Sequence, residues 1–206
     1  MLKRNPVIFF FLKALLVYAL LAFPSFLSKG YEKFYRSVSR TFLSTVRGTG
    51  FCVFESKNDI SDTEIIIGNK TQLDENQRTR TMNIPVNSHQ DGYLPTILLL
   101  SLILASPIPV RRKGRALIIG FVLMTAFVLF KVWIRIMYTC DTNPWLQLTN
   151  PSNSQMKIVS FIKVNFVTYG APSLTLTVIL WLLISFTKND VEAFHQTNFP
   201  IRNSGK

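Results

Sequence analysis

Four long apolar runs, separated by polar stretches, dominate the pattern of residues along the chain. They cover residues 7–27, 93–110, 116–138 and 164–186. A helix that crosses a bilayer needs about 20 mostly apolar residues, so each run predicts a transmembrane helix. The pattern therefore predicts an all-α membrane protein with four transmembrane helices and a small extracytoplasmic α+β cap.

The first run resembles a signal peptide in its charged start, but it favours an uncleaved anchor. It is too long for a signal peptide, contains Lys13 and ends without a small-x-small cleavage site. Ahead of the fourth run, apolar residues at 158–162 predict a short interfacial helix. A break at Gly170-Ala171-Pro172 separates this helix from the last span.

The polar stretches predict the cap. Phe34, Val38 and Phe42 recur at helical spacing, which indicates an amphipathic helix over residues 31–46. Residues 51–54, 64–67 and 81–86 are short β-like runs separated by turn-rich segments. Three such strands cannot form a core alone, so we expect the sheet to rest on the ends of the spans.

These patterns divide the chain into six segments of predicted topology. They are an N-terminal transmembrane helix (1–28), an extracytoplasmic loop with the amphipathic helix and strands (29–92), a transmembrane hairpin with a basic cytoplasmic turn (93–138), a second extracytoplasmic loop (139–163), a fourth transmembrane helix (164–187) and a cytoplasmic tail (188–206).

Composition and charge support the membrane interpretation. Only 17% of the residues are charged, against about 25% in soluble domains. The net charge of +12 is also compatible with nucleic-acid binding, but the chain has no known base-reading motif. Cations that flank membrane spans explain the charge better. The expected partner is therefore the lipid bilayer, together with other membrane proteins, and not nucleic acid.

Orientation follows from the short loop at residues 111–115, which holds four cations. Short basic loops face the cytoplasm, so four spans place both termini there. The expected location is the cell membrane, and the Phe- and Ile-rich spans suit a bacterial inner membrane.

With this orientation Cys52 and Cys140 both lie outside, where a disulfide between them is expected and two unpaired thiols are the alternative.

Ionisable residues within a span are costly and mark a candidate site. Lys131 and Arg135 are four residues apart and share one helix face. With Asp91 and Asp141 they form a predicted polar cluster at the outer surface, although Arg135 is also close enough to the surface to snorkel.

Candidates for catalysis are weak. They are Arg135, and a nucleophile pair of Cys140 and His89 oriented by an acid. Two cysteines on the outside are more often bridged than catalytic. The sequence contains no phosphate-binding loop, zinc spacing or nucleophile elbow, so no cofactor and no metal is predicted.

One resemblance joins several of these features. The DGYL motif at 91–94, the apolar run after it, the basic turn at 111–115 and the KVWIRI motif at 131–136 resemble part of the exosortase/archaeosortase family. The resemblance implies a multi-span enzyme that cleaves and transfers C-terminal sorting tails at the outer membrane face. It covers about fifty residues.

Arg135 matches the arginine of the family, but Gln90-Asp91-Gly92 stands where the family has Cys-Ser-Gly, and the fourth run contains no histidine. If the kinship is real, the thiol mechanism has been lost. The first functional hypothesis is therefore a non-catalytic partner or assembly subunit of an extracytoplasmic sorting, export or envelope-building system. The alternatives are an exosortase-like transpeptidase or protease and, with less support, a small-solute carrier.

Overall fold

The computed structural model describes residues 6–46, 48–57, 61–73, 78–143, 146, 148, 152–168 and 171–186. Its elements in chain order are α1 (Pro6–Ala22), α2 (Ser25–Leu43), β1 (Thr45–Val46), β2 (Gly50–Ser56), β3 (Thr63–Leu73), β4 (Thr79–Val86), a π-helical turn (His89–Tyr93), α3 (Leu94–Ala105), α4 (Val110–Thr142), α5 (Asn153–Ile162), a π-helical segment (Lys163–Thr168) and α6 (Ala171–Ser185). The tail predicted for 188–206 lies outside the described residues.

The first two helices form an elbow. Pro24 lacks a backbone N–H, so it cannot continue α1, and α2 leaves at 73°. Helix α1 is apolar around its circumference, whereas α2 is amphipathic and buries Tyr35 and Ser39. Arg40 Nη2 on α2 donates to the carbonyl oxygen of Phe54 at 3.0 Å, which ties α2 to the sheet. The helix predicted for 31–46 lies mostly within α2.

A four-stranded antiparallel sheet forms the cap, in the order β1-β2-β3-β4. The three predicted strand segments lie within β2, β3 and β4, and β1 was not foreseen. Cys52 and Phe54 alternate with less buried neighbours on β2 and pair with Ile67 and Ile65 on β3. This alternation directs one face of the sheet toward a core.

The core of the cap lies between the sheet, α2 and the C-terminal half of α4. Its buried members are Tyr35, Val46, Cys52, Phe54, Ile65, Ile67, Val86, Val128, Val132, Ile136, Met137, Cys140, Leu146 and Leu148. The sheet therefore rests on a helix end, as expected for strands too short to form a core alone. A separate apolar cluster of Leu99, Ile103, Ala116 and Met124 joins α3 to α4, and Leu180, Trp181 and Ile184 of α6 pack against it.

The predicted fold class, an all-α protein with four transmembrane helices, is wrong. The chain contains a four-stranded sheet. Within the described residues, α4 is the one helix long and apolar enough to cross a membrane, and α1 with α2 qualifies only as a bent pair.

Three of the four apolar runs, at 7–27, 93–110 and 164–186, are longer than the helices α1, α3 and α6 that they form. Helix α3 has 12 residues and extends about 18 Å, against about 30 Å of bilayer hydrocarbon. The run at 93–110 begins in the π-helical turn, and α3 ends within it at Ala105, ahead of Pro107 and Pro109. Helix α6 has 15 residues. The basic residues at 111–115 are not a loop but the first turns of α4.

Candidate functional site

An ion-pair network lies where the cap meets the helices. On α4, Lys131 Nζ is 3.2 Å from Asp91 Oδ1, and Arg135 Nη2 is 2.8 Å from Asp91 Oδ2. The two cations share a helix face because they are four residues apart. We refer to Asp91, Lys131 and Arg135 as the ion-pair network. The Lys131 side chain is only 3% exposed, so its charge depends on these partners.

The network joins three elements. Lys131 Nζ donates to Ser173 Oγ on α6 at 3.0 Å and lies 3.5 Å from the carbonyl oxygen of Asp91. The π-helical turn, α4 and α6 therefore meet at one ammonium group. The network has two cations and one carboxylate, so its formal charge is +1.

Little open space remains in the network. The cavity beside it has a water-accessible volume of about 10 Å³ and is lined by Tyr35, Asp91, Val128, Lys131, Val132 and Arg135. This volume is at the lower limit for one water molecule. The buried hydroxyl of Tyr35 has no hydrogen-bond partner among the described residues. A cavity of this size has room for about one water molecule.

Asp62 holds the start of the π-helical turn that carries Asp91. Its carboxylate accepts hydrogen bonds from Ser88 N at 2.9 Å, Ser88 Oγ at 2.9 Å and His89 N at 3.1 Å. These bonds fix the start of the π-helical turn that carries Asp91. The next residue, Gly92, allows Tyr31 to pack closely against this turn, because a Cβ at position 92 would lie 2.5 Å from the Tyr31 hydroxyl. Sequence reasoning missed Asp62, since its partners are 26 residues away.

The predicted polar cluster is partly assembled. Asp91, Lys131 and Arg135 meet, but Asp141 lines a different cleft, between the end of α4 and α5. The ring of His89 packs on Tyr93, with the centroids 5.2 Å apart.

The two cysteines are buried. Cys52 and Cys140 are 3% and 2% exposed and belong to the core of the cap. Burial, with a smaller contribution from Cys140, raises the pKa of Cys52 to about 12. Its thiol is therefore neutral at physiological pH, whereas the thiolate is the reactive form. The structure contains no disulfide between the two residues, so the bridge stays a prediction.

A metal site is not apparent in the described part of the chain. No group of three or more His, Cys, Asp or Glu side chains there could hold a metal ion. In comparisons with protein-family models, curated proteins and solved structures, nothing matched the chain.

Proposed function

We propose that the protein is a membrane-embedded, non-catalytic partner or assembly subunit of an extracytoplasmic sorting, export or envelope-building system. The observation that carries the proposal is the contact between Asp91 and Arg135. These residues occupy positions where the exosortase/archaeosortase resemblance places parts of an active site, and here they form a salt bridge.

The resemblance assigns Gln90, Asp91 and Gly92 to the positions of the family's Cys-Ser-Gly motif. The cysteine position is held by Gln90, an exposed amide that cannot act as a thiolate nucleophile. The serine position is held by Asp91, whose carboxylate is engaged by two cations. These two positions therefore keep a contact with Arg135 but offer no nucleophile, which favours a non-catalytic partner or assembly subunit over an enzyme.

Exposed apolar side chains support a place in the bilayer. Leu15 on α1 is 64% exposed, Ile118 on α4 is 68% exposed and Leu183 on α6 is 72% exposed, and each has exposed apolar neighbours on its own helix. Contiguous apolar surfaces of this kind are typical of membrane or protein contacts. We propose that the sheet lies on the extracytoplasmic side and the basic residues 111–115 on the cytoplasmic side.

The alternative is an exosortase-like transpeptidase or protease at the outer face, with Cys140 as its nucleophile. The two proposals differ in what the thiols do. An enzyme needs Cys140 and not Cys52, a structural disulfide needs both equally, and a non-catalytic subunit with two buried thiols needs neither for chemistry.

Deletion of the gene in the source organism, followed by complementation, tests the proposal. The readout is the processing of envelope proteins that carry C-terminal sorting tails. We expect the deletion to impair processing, and Cys52→Ala and Cys140→Ala to restore it. Arg135→Gln should fail at wild-type membrane levels, whereas Arg80→Gln, a matched change on the exposed edge of the sheet, should restore processing.

Two outcomes contradict this function. Normal processing in the deletion strain removes the link to a sorting system. Loss of processing in Cys140→Ala alone, with Cys52→Ala active and both proteins present at equal levels, supports the enzyme instead.

A further inference from the structure

Two lysines from different helices meet at the end of the helical part that lies away from the cap. Lys113 Nζ on α4 donates to the carbonyl oxygen of Leu104, near the end of α3, at 3.0 Å. Ala14 on α1 belongs to one apolar cluster with Ala105, the next residue of α3. Lys13 precedes Ala14, and its charge is near enough to that of Lys113 for the two to repel each other. We refer to Lys13 and Lys113 as the lysine pair.

The lysine pair has no counter-charge within the described part of the chain. Helices α1, α3 and α6 contain neither Asp nor Glu. Helix α4 contains Asp141, which is about 42 Å from Lys113 along a helix that rises 1.5 Å per residue. The other described carboxylates lie on α2, in the sheet and its β2–β3 connection, or in the π-helical turn. Two like charges therefore meet where no described anion compensates them.

Both ammonium groups can still bind a ligand. Lys13 is exposed and Lys113 is half-buried. An ammonium group has three N–H donors, and the carbonyl oxygen of Leu104 takes one of those of Lys113. Phosphate oxygens accept charge-assisted hydrogen bonds from ammonium groups. A phosphate between the two lysines therefore satisfies the remaining donors and offsets the repulsion.

The surface around the lysine pair is apolar. Phe9 and Leu16 flank Lys13 on α1 and are 54% and 59% exposed. Val110, one turn before Lys113, is 83% exposed. Uncompensated ammonium groups beside hydrocarbon are costly. A phospholipid supplies the anion and also covers the apolar side chains with its acyl chains, whereas a soluble anion does only the first.

We propose that the lysine pair binds the phosphate of an anionic phospholipid in the cytoplasmic leaflet. The lipid phosphate bridges Lys13 and Lys113, and the acyl chains lie along Phe9 and Leu16. Basic sites between helices on the cytoplasmic side of a membrane attract acidic headgroups. This assignment rests on the membrane placement proposed above.

Phosphatidylglycerol and phosphatidylcholine with identical acyl chains are the matched ligands. Both lipids carry a phosphate, but only phosphatidylglycerol has a net negative charge. The purified full chain is incubated with each lipid in detergent, and retained lipid is counted by native mass spectrometry over a series of lipid concentrations. We expect phosphatidylglycerol to bind about 25-fold more tightly, because each lysine contributes about fivefold to the affinity for an anionic lipid.

Charge-matched variants separate the lysine pair from basic charge in general. Lys13→Gln with Lys113→Gln should remove most of the preference, and Gln keeps a donor for the Leu104 carbonyl oxygen. Arg111 and Arg115 are exposed and lie two residues to either side of Lys113, so they point to the opposite side of α4. Arg111→Gln with Arg115→Gln removes the same charge from the same helix end and should leave most of the preference intact.

Four results overturn the proposal. The first two are equal affinity of the wild-type protein for both lipids, and an equal loss of preference in the lysine and arginine double variants. The third is displacement of phosphatidylglycerol by equimolar inorganic phosphate, which assigns the site to a soluble anion. The fourth is a preference that appears only when Asp190→Asn and Glu192→Gln are combined, which assigns the lysines to the chain's own C-terminal segment.

Reconstitution into vesicles that contain both lipids separates this proposal from the membrane placement. A protein that enters the vesicles without enriching phosphatidylglycerol around it refutes the lipid site alone. A protein that does not enter the vesicles refutes the membrane placement, and the lipid site with it.

Discussion

Asp91 is the residue on which the junction of cap and helices depends. Lys131 is nearly inaccessible to solvent, and Arg135 is 19% exposed on its side chain. A buried cation is tolerated when it is paired and hydrogen-bonded, and Asp91 contacts both cations. Removing one partner of a buried pair leaves an uncompensated charge, which costs more than the pair itself contributes.

We expect Asp91→Asn to lower the free energy of unfolding by about 3 kcal/mol, because Lys131 then lacks its counter-charge. The double variant Asp91→Asn with Lys131→Met should recover part of this loss. Thermal unfolding of the purified protein in detergent measures both, with Glu55→Gln as a control expected to change stability by less than about 0.5 kcal/mol. Equal stability of Asp91→Asn and the wild-type protein contradicts a structural role for the network.

Some members of the site could be predicted from the sequence. Lys131 and Arg135 lie on one helix face, as their separation of four residues predicts, and both contact Asp91. Asp141, predicted for the same cluster, lines the cleft between α4 and α5. At 3.6 residues per turn, it points about 120° away from Arg135 around α4. Ser173 and Tyr35 reach the site from other helices, and no local pattern indicates such contacts.

Among the elements, the hairpin of β2 and β3 has a role beyond covering the helices. Its connection presents Asp62, which caps the π-helical turn through three hydrogen bonds. Hydrogen bonds to a charged acceptor contribute more than neutral ones, so this contact is a strong link between sheet and helices.

Replacing Asp62 with Ala should release the start of the π-helical turn. We expect faster amide hydrogen exchange at Ser88 and His89, and a loss of stability of about 2–3 kcal/mol. Asp62→Asn retains one acceptor oxygen and should have a smaller effect. Exchange measured by mass spectrometry on a peptide covering residues 87–93 checks this. Unchanged exchange in Asp62→Ala would show that other contacts hold the turn.

The sequence predicted the kinds of elements better than their lengths. Short β-like runs between turn-rich segments revealed β2 and β3, and helical periodicity revealed α2 because its two faces differ in polarity. Hydropathy did not locate the ends of α1 and α3, where Pro24 and Pro107 interrupt apolar runs. An apolar run shows that residues avoid water, but it does not show that they form one straight helix.

At the scale of the whole molecule, the chain divides into an apolar helical part and a sheet-bearing cap, with the ion-pair network at their junction. The helical part exposes large apolar side chains on α1, α4 and α6. The sheet buries its apolar face against α2 and α4. In the proposed placement, a bilayer covers the exposed apolar side chains of the helices, and water solvates the exposed face of the sheet.

Spin labels test this division most directly. Single cysteines at Ile119 and Leu73, which are 50% and 53% exposed, are labelled in the full chain reconstituted in vesicles. The buried Cys52 and Cys140 should remain unlabelled, and the wild-type protein controls for this. We expect the label at residue 119 to collide with oxygen and not with a water-soluble nickel complex, and the label at residue 73 to do the reverse. Equal access of the nickel complex to both positions would contradict a membrane-embedded α4.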